Sequence, residues 1–183
     1  MKTKTLTKAG AIVISVLLFA TCRKDETNLT DNSLSATGDA VSDLKKASTG
    51  ITGIGFYAQA DECKATGESA DYILKMTGDI EGCIYTYIDK SECVNGYYYE
   101  EGREHFVGTY KGKDGSFWTN YKSLGKYEGC SGGSPTGAEI LGFCEHPIVK
   151  GSGEGVFKGV TGRYYMIDKV KAVKFPYEGQ LRF

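Results

Sequence analysis

The sequence predicts an all-β fold, a small antiparallel β-barrel of eight strands or of up to ten. Aromatic residues and glycine are abundant and proline is scarce, since the 183 residues include 13 Tyr, 8 Phe, 25 Gly and 3 Pro. Aromatic residues favour strands, and glycines favour tight turns. From Ile51 onward apolar and polar residues alternate, with frequent glycines and few helix formers. These observations indicate many twisted strands joined by short connections.

Ten segments alternate in the manner of strands. They lie near residues 52–58, 71–77, 82–89, 96–100, 104–111, 116–127, 138–144, 148–157, 162–169 and 176–183. Turn residues that tolerate positive φ separate several of them, as at Asn95-Gly96 and Asp114-Gly115. Strands joined by short turns pair antiparallel, and no connection is long enough for the crossover helix of a parallel sheet. Such strands remove their exposed edges by closing into a barrel or by folding into a sandwich.

Before the strands, residues 1–21 are typical of a secretory signal peptide. Three lysines precede residue 9, and residues 9–20 are almost wholly apolar. This run is shorter than the about 20 apolar residues that cross a bilayer. Its end, Ala20-Thr21-Cys22, resembles the lipobox of bacterial lipoproteins. The resemblance implies that Cys22 is acylated, becomes the first mature residue and attaches the protein to a lipid bilayer; cleavage by an ordinary signal peptidase is the alternative.

Residues 22–50 are rich in Thr, Ser, Asn, Asp and Gly and are predicted to be a flexible tether. Residues 51–183 then form a single barrel domain, which is large enough to fold without a metal. The start of the tether, Arg23-Lys24-Asp25-Glu26, resembles the export tag of some Gram-negative lipoproteins. We therefore expect a cell-envelope location, as an outer-membrane lipoprotein that is periplasmic or surface-exposed.

Charge excludes one class of partner. Removing the three lysines of residues 1–21 from the 22 basic residues leaves 19 against 23 acidic ones. There is no basic stripe, so nucleic acid is not an expected partner.

The sequence also lacks the residues of a typical metal site. The only histidines are His105 and His146, and no C-x-x-C spacing occurs. We therefore predict no metal site and no cofactor.

Five cysteines follow Cys22, and in an exported chain they are first interpreted as disulfides. The sequence does not fix their pairing. The local choices are Cys83 with Cys93 and Cys130 with Cys144, because each pair spans a predicted turn between two strands. Each such closure would stabilise the fold by about 3 kcal/mol in the chain-entropy model. Cys63 is then left over, either as a buried, inert thiol or as a reactive one.

Glycines are densest between residues 151 and 162. A phosphate-binding loop would need a helix after it, whereas the run that follows, residues 163–167, is rich in strand formers. Nucleotide binding is therefore not predicted. Glycines two residues apart lie on one face of a strand, where they allow the sheet to bend or an aromatic ring to cover them. The stretch is thus predicted to be a structural part of a small barrel.

This glycine stretch resembles the penultimate strand of the allene oxide cyclase and dirigent group of eight-stranded barrels. The shared pattern is G-x-G-x-F-x-G-V-x-G, carried here by Gly153, Gly155, Gly159 and Gly162 with Phe157 and Val160. The resemblance implies a barrel whose interior can serve as a shaped cavity. Plant members include a cyclase that acts on an unstable fatty-acid epoxide, but none of its catalytic residues can be placed on this chain.

Two residues are candidates for acid–base chemistry. Glu104 shares a strand face with Phe106 and Tyr110, whereas the neighbouring His105 points to the other face, so these two neighbours cannot form a dyad. Glu104 is either a solvated outer carboxylate or, inside the barrel, an acid with a raised pKa. His146 lies at a predicted strand end, where it either caps a backbone carbonyl or projects into the barrel mouth.

Two functions of different class follow. The first is a non-enzymatic, envelope-anchored barrel that binds a small apolar or aromatic ligand, a glycan or an envelope partner. The second is an isomerase or cyclase resembling allene oxide cyclase, with an apolar substrate in the barrel cavity. An open interior with convergent polar groups would favour the enzyme, and an interior packed with Tyr, Phe and Ile would exclude it.

Overall fold

The structure is a computed structural model that describes residues 48–59, 61–63 and 69–183, so Cys22 and residues 1–47 lie outside it. Nine strands and one short 3₁₀ turn, Val170–Ala172, make up the described fold. The strands are β1 (Ser48–Tyr57), β2 (Tyr72–Gly78), β3 (Ile80–Val94), β4 (Tyr97–Tyr110), β5 (Lys113–Ser131), β6 (Ser134–Pro147), β7 (Glu154–Gly155), β8 (Thr161–Asp168) and β9 (Phe175–Arg182). In the described part of the chain, no helix has the length and apolar character to cross a membrane.

Eight of the strands form a closed antiparallel barrel, which confirms the predicted fold class. Each long strand pairs with its neighbours in sequence, from β1 through β6 and then to β8 and β9. The ring closes because β1 also pairs with β9, with Ile51 opposite Gly179. The two-residue strand β7 adds to β5 outside this ring. The closed ring has no free edge, which removes the main aggregation risk of a long sheet.

Two of the predicted strands are one in the structure. Segments 96–100 and 104–111 belong to the single strand β4, which pairs along its length with β5. Gly102 lies between the two predicted segments. A glycine is required there because a Cβ would collide with the carbonyl oxygen of Tyr87 on β3. A shift of register between Ile88 and Lys90 accompanies this close approach.

The predicted strand 148–157 is wrong, because most of it belongs to a loop that closes one end of the barrel. We call residues 149–160 the plug loop. Its turns are held by short-range backbone hydrogen bonds, such as Phe157 N to Glu154 O at 3.0 Å. They aim Phe157, which is fully buried, inward so that its ring meets Phe106 and Phe117 edge to face. The loop thereby supplies the apolar cover for this end of the barrel.

The glycine motif serves this loop and not a bent strand. Gly153 and Gly159 lie outside every strand, Gly155 lies in the two-residue β7, and only Gly162 lies in a long strand, β8. Gly159 has a φ of 78°, which L side chains rarely adopt. At Gly153, a Cβ would collide with the carbonyl oxygen of Phe157. The glycines therefore permit the tight turns that aim Phe157 inward.

The core fills the barrel half next to the plug loop, which we call the plug half. Its residues come from nearly every strand and from the loop. They include Ile51, Ile80, Ile84, Phe106, Phe117, Phe157, Val160 and Leu181, each at most 1% exposed. Phe117 packs against Phe106 and Phe157 with ring centroids 4.9 Å apart in both contacts. The plug half is therefore a closed, apolar core.

Two disulfides are present among the described residues, but the predicted pairing is wrong. The bonds join Cys63 to Cys83 and Cys93 to Cys130, and Cys144 is free. Cys83 and Cys93 cannot pair because both lie on the unbroken strand β3, about 33 Å apart at the rise of an extended strand. On β6, Cys144 lies opposite Ser123, far along the β5–β6 hairpin from Cys130. The prediction placed a turn between Cys83 and Cys93, where β3 continues. A turn does lie between Cys130 and Cys144, but the two cysteines are far apart along the hairpin that it joins.

The observed disulfides fasten peripheral segments to the barrel. Cys63 and Cys83 form a small cluster with Tyr85 that is separate from the main core, so this bond holds the β1–β2 connection against β3. Cys93 and Cys130 lie near the tips of the two long hairpins at the end opposite the plug loop. Cys63, predicted to be the leftover thiol, is thus structural.

Candidate functional site

The barrel end opposite the plug loop contains a cavity of about 150 Å³, which we call the mouth cavity. Aromatic, aliphatic and polar side chains line it together. They include Tyr57, Tyr72, Tyr98, Glu100, Glu104, Ser123, Tyr127, Glu139, Phe143, Cys144, His146, Met166, Asp168 and Phe175. The interior is thus packed solid at one end and open and polar at the other.

A buried Glu104–His146 pair forms the inner wall of this cavity. His146 Nδ1 lies 2.6 Å from Glu104 Oε2, and both side chains are 2% exposed. Glu104 also accepts hydrogen bonds from Thr119 Oγ1 at 2.8 Å and from Thr86 Oγ1 at 3.3 Å. The His146 ring stacks on Tyr164 at 4.5 Å. Neighbours from three other strands, β3, β5 and β8, therefore fix the position of both groups.

The protonation state of His146 follows from these contacts. Burial alone would lower its pKa, but the Cys144 sulfur and the Glu104 carboxylate beside it raise the pKa to about 10. His146 is then an imidazolium at neutral pH, and its Nδ1–H donates to Glu104. The other ring nitrogen, Nε2, is buried and has no hydrogen-bond partner among the described residues. A buried donor without a partner is costly, so a ligand oxygen at this position would be favoured.

A second carboxylate, Glu100, is held by tyrosine hydroxyls. Tyr98 and Tyr121 each donate to it at 2.7 Å, and Tyr72 donates at 3.2 Å. Burial, followed by the Glu100 charge, raises the pKa of Tyr72 and of Tyr121 well above the usual range. These hydroxyls therefore remain protonated and act as donors.

The rim of the cavity carries a third acidic group, formed by Glu139 on β6 and Asp168 on β8. Tyr127 donates a hydrogen bond to Glu139 at 3.1 Å. Burial, and then the charge of Asp168, raises the pKa of Glu139; burial also raises that of Asp168. Two neighbouring carboxyl groups do not readily ionise together, because their negative charges repel, so this pair favours a shared proton.

Cys144 is the one free cysteine in the described part of the chain, and it lines the same cavity. It is two residues from His146 on β6, so both side chains face the interior. Burial is the main cause of the raised pKa of its thiol. The neighbouring His146 acts against burial and lowers this pKa, so the protonation of the two groups is linked.

Aromatic rings form two opposite walls at the mouth. On one side, Tyr57 meets Phe175 edge to face at 5.2 Å and Tyr72 at 6.2 Å. On the other side, Tyr98 meets Tyr127 at 6.1 Å with an interplanar angle of 86°. Rings at such steep angles bound a space from several directions.

The structure places both predicted candidates inside the barrel and brings them together. Glu104 is an interior carboxylate, and His146 is paired with it instead of capping a backbone carbonyl. His105 lies on the opposite face of β4, stacked on Trp118 at 4.4 Å, as its alternation predicted. The sequence analysis missed Glu100, Glu139 and Asp168. Their alternation with apolar residues was visible, but a strand with two partly apolar faces does not show which one is interior.

The described residues contain no group of three or more His, Cys, Asp or Glu that could hold a metal ion. No protein-family model matches the chain, and a search of curated proteins finds no similar sequence. The mouth cavity itself is therefore the main indication of function.

Proposed function

We propose that this protein is an envelope-anchored lipoprotein whose barrel binds a small ligand in the mouth cavity. The observation that carries the proposal is His146, a residue of the cavity lining whose buried Nε2 has no hydrogen-bond partner among the described residues. A cavity of about 150 Å³ is comparable to one that accommodates benzene. The ligand, or the part of it that enters, is therefore small.

The contrast with the plug half supports binding over a purely structural role. A barrel that needed only stability would be filled at both ends with apolar side chains, as it is around Phe157. Instead, Glu100, Glu104 and His146 occupy the interior next to an open space. Buried polar groups destabilise a fold unless they are fully satisfied, and natural proteins retain such features at functional sites.

Binding can be tested by ligand-observed NMR with four probes: benzyl alcohol, benzoate, benzylammonium and methyl glucoside. The variant Ser123→Leu places a larger side chain in the cavity, and Ser134→Leu makes the same change at an exposed position on β6. We expect at least one probe to bind the wild type and Ser134→Leu and to bind Ser123→Leu at least about tenfold more weakly. Equal binding by the two variants, or no binding of any probe, would contradict the proposal.

The anchor rests on the sequence around Cys22. Acyl chains on this residue would hold the barrel at a membrane, because each buried methylene contributes about 0.8 kcal/mol. Mass spectrometry of the membrane fraction should find a diacyl or triacyl mass on Cys22, and Cys22→Ser should abolish it. A soluble wild-type protein that lacks residue 22 would rule out the anchor.

A second candidate function is acid–base isomerisation or cyclisation of an apolar substrate, as the resemblance to allene oxide cyclase implies. The specific observation in its favour is the His146–Glu104 pair beside the cavity. The imidazolium of His146 can protonate a substrate oxygen from Nε2, and Glu104 stabilises the positive charge of the imidazolium. The proton returns to Nε2 when the product forms, so the reaction needs no co-reactant.

This candidate can be tested with styrene oxide, whose isomerisation to phenylacetaldehyde requires only a general acid. We expect His146→Gln to slow any conversion by about 10²-fold or more, while Glu145→Gln, on the outer face of the same strand, leaves it unchanged. The absence of turnover by the wild type, or equal turnover by His146→Gln, would leave binding as the proposed function.

A further inference from the structure

The charges in the mouth cavity bear on the kind of ligand it takes. Four carboxyl groups line the cavity, and no lysine or arginine occurs among its described lining residues. Glu104 is balanced by His146. Glu100, Glu139 and Asp168 form no ion pair with any described residue. The cavity therefore carries an excess of negative charge.

The aromatic walls of the cavity also favour a positively charged ligand. The face of a tyrosine or phenylalanine ring is electron-rich and attracts cations, most strongly where water is excluded. Tyr57, Tyr72 and Phe175 form one wall and Tyr98 and Tyr127 the other. Carboxylates lie between these walls, as in sites that recognise ammonium groups.

The unpartnered nitrogen of His146 independently indicates a second polar group on the ligand. His146 belongs to the cavity lining, and its Nε2 is buried without a hydrogen-bond partner among the described residues. Because Nδ1 donates to Glu104, a protonated ring presents Nε2–H as a donor. A neutral oxygen on the ligand, such as a hydroxyl, would accept this hydrogen bond.

We infer that the mouth cavity binds a small organic cation that also carries a hydroxyl or ether oxygen. The inference rests on the proposed function, because it assumes that the cavity binds a ligand. The ammonium group lies between the aromatic walls near Glu139 and Asp168, and the oxygen reaches His146. An anionic ligand is disfavoured because it would face three carboxyl groups without cationic partners. A purely apolar ligand would leave His146 Nε2 unsatisfied.

Three probes of nearly equal shape separate charge from size. Choline has a quaternary ammonium and a hydroxyl, 3,3-dimethylbutan-1-ol replaces its nitrogen with carbon, and 3,3-dimethylbutanoate is an anion. In calorimetric titrations of the mature chain, we expect choline to bind at least about tenfold more tightly than the alcohol, and the anion not to bind. Equal or tighter binding of the alcohol would overturn the cation inference and leave the proposed ligand binding intact.

Variants test whether the acidic rim is responsible. Glu139→Gln with Asp168→Asn keeps the side-chain shapes and removes both carboxyl groups, and Glu145→Gln removes a carboxylate from the outer face of β6. We expect the double variant to weaken choline binding by about tenfold or more and to change alcohol binding little. If Glu145→Gln weakens choline binding as much, the rim is not the site. If none of the three probes binds the wild type, the inference fails, and the four-probe NMR experiment decides the proposed function separately.

Discussion

The two halves of the barrel interior are built from the same strands and have opposite character. On β4, Phe106 belongs to the plug half and Glu104, two residues away on the same face, belongs to the mouth half. On β5, Phe117 and Thr119 divide in the same way. The apolar members pack around Phe157, whereas the polar members surround His146. The change from core to site thus occurs within one step along the barrel axis.

This comparison separates the source of stability from the source of function. The plug half buries large apolar side chains, which is the dominant favourable contribution to folding. The mouth half contains a buried ion pair, which is weak support for stability because desolvation offsets the attraction. A domain with one solid half can retain a polar, partly unsatisfied half for binding.

The largest expected effect lies in the plug half. Phe157→Ala removes a fully buried ring and leaves a cavity among Phe106, Phe117 and Tyr110. We expect a loss of about 3 to 5 kcal/mol in the free energy of unfolding, measured by urea denaturation. The matched control is Lys158→Ala, at the next, exposed position. A loss below about 1 kcal/mol would mean that the plug loop does not form part of the core.

The mouth half should respond differently to single and double changes. Glu104→Leu leaves His146 without its partner, and we expect it to cost about 3 kcal/mol. The double variant Glu104→Leu with His146→Leu removes both charges and should recover most of that loss. A double-mutant cycle by urea denaturation measures the coupling. Additive losses would show that the pair is not energetically linked.

The pH dependence of stability should come from the mouth half. His146 has a pKa of about 10 in the folded chain and one of about 6.5 when unfolded. Its contribution is therefore complete below about pH 6.5 and is lost as the pH rises toward 10, by at most about 1.4 kcal/mol per pH unit. Urea midpoints between pH 6.5 and 9 should fall more steeply for the wild type than for His146→Gln. Parallel curves would contradict the assigned protonation state.

The smallest effect concerns access to Cys144. Its thiol is partly shielded and has a pKa raised chiefly by burial, so labelling by iodoacetamide at pH 7 should be slow and should accelerate at pH 9. Ser123→Leu, directly opposite Cys144, should slow it further, whereas Lys158→Ala at the plug end should not. Peptide mass spectrometry gives the rate at this residue. Equal rates in both variants would show that access does not pass through the mouth.

Much of the fold could be predicted because its signals are local. The alternation around Ile84 and the turn at Asn95-Gly96 indicate strands and hairpins over a few residues, and both are present. The plug loop was mistaken for a strand because its apolar residues, Val156 and Phe157, have strand-like composition. The turns around Val156 and Phe157 form because these side chains fill an open end of the barrel. A local sequence pattern carries no information about that end.

The candidate site could be predicted only in part. Glu104 and His146 were recognised as unusual, but they are 42 residues apart and their contact depends on barrel closure. The cysteine pairs were wrong because sequence distance favours local pairing, whereas β3 keeps Cys83 and Cys93 far apart. Long-range contacts of this kind follow from the register of several strands at once.

By itself, the sequence determined an antiparallel all-β chain and the alternation that puts Glu104 on one face with Phe106. Only the tertiary structure decided that this face is interior, that His146 meets Glu104, and that the glycines shape a plug. The physical reason is the two-residue period of a strand, which fixes relative faces but not which face is buried when both carry apolar residues. Closing the ring makes that choice, and the same closure creates the packed half and the open one.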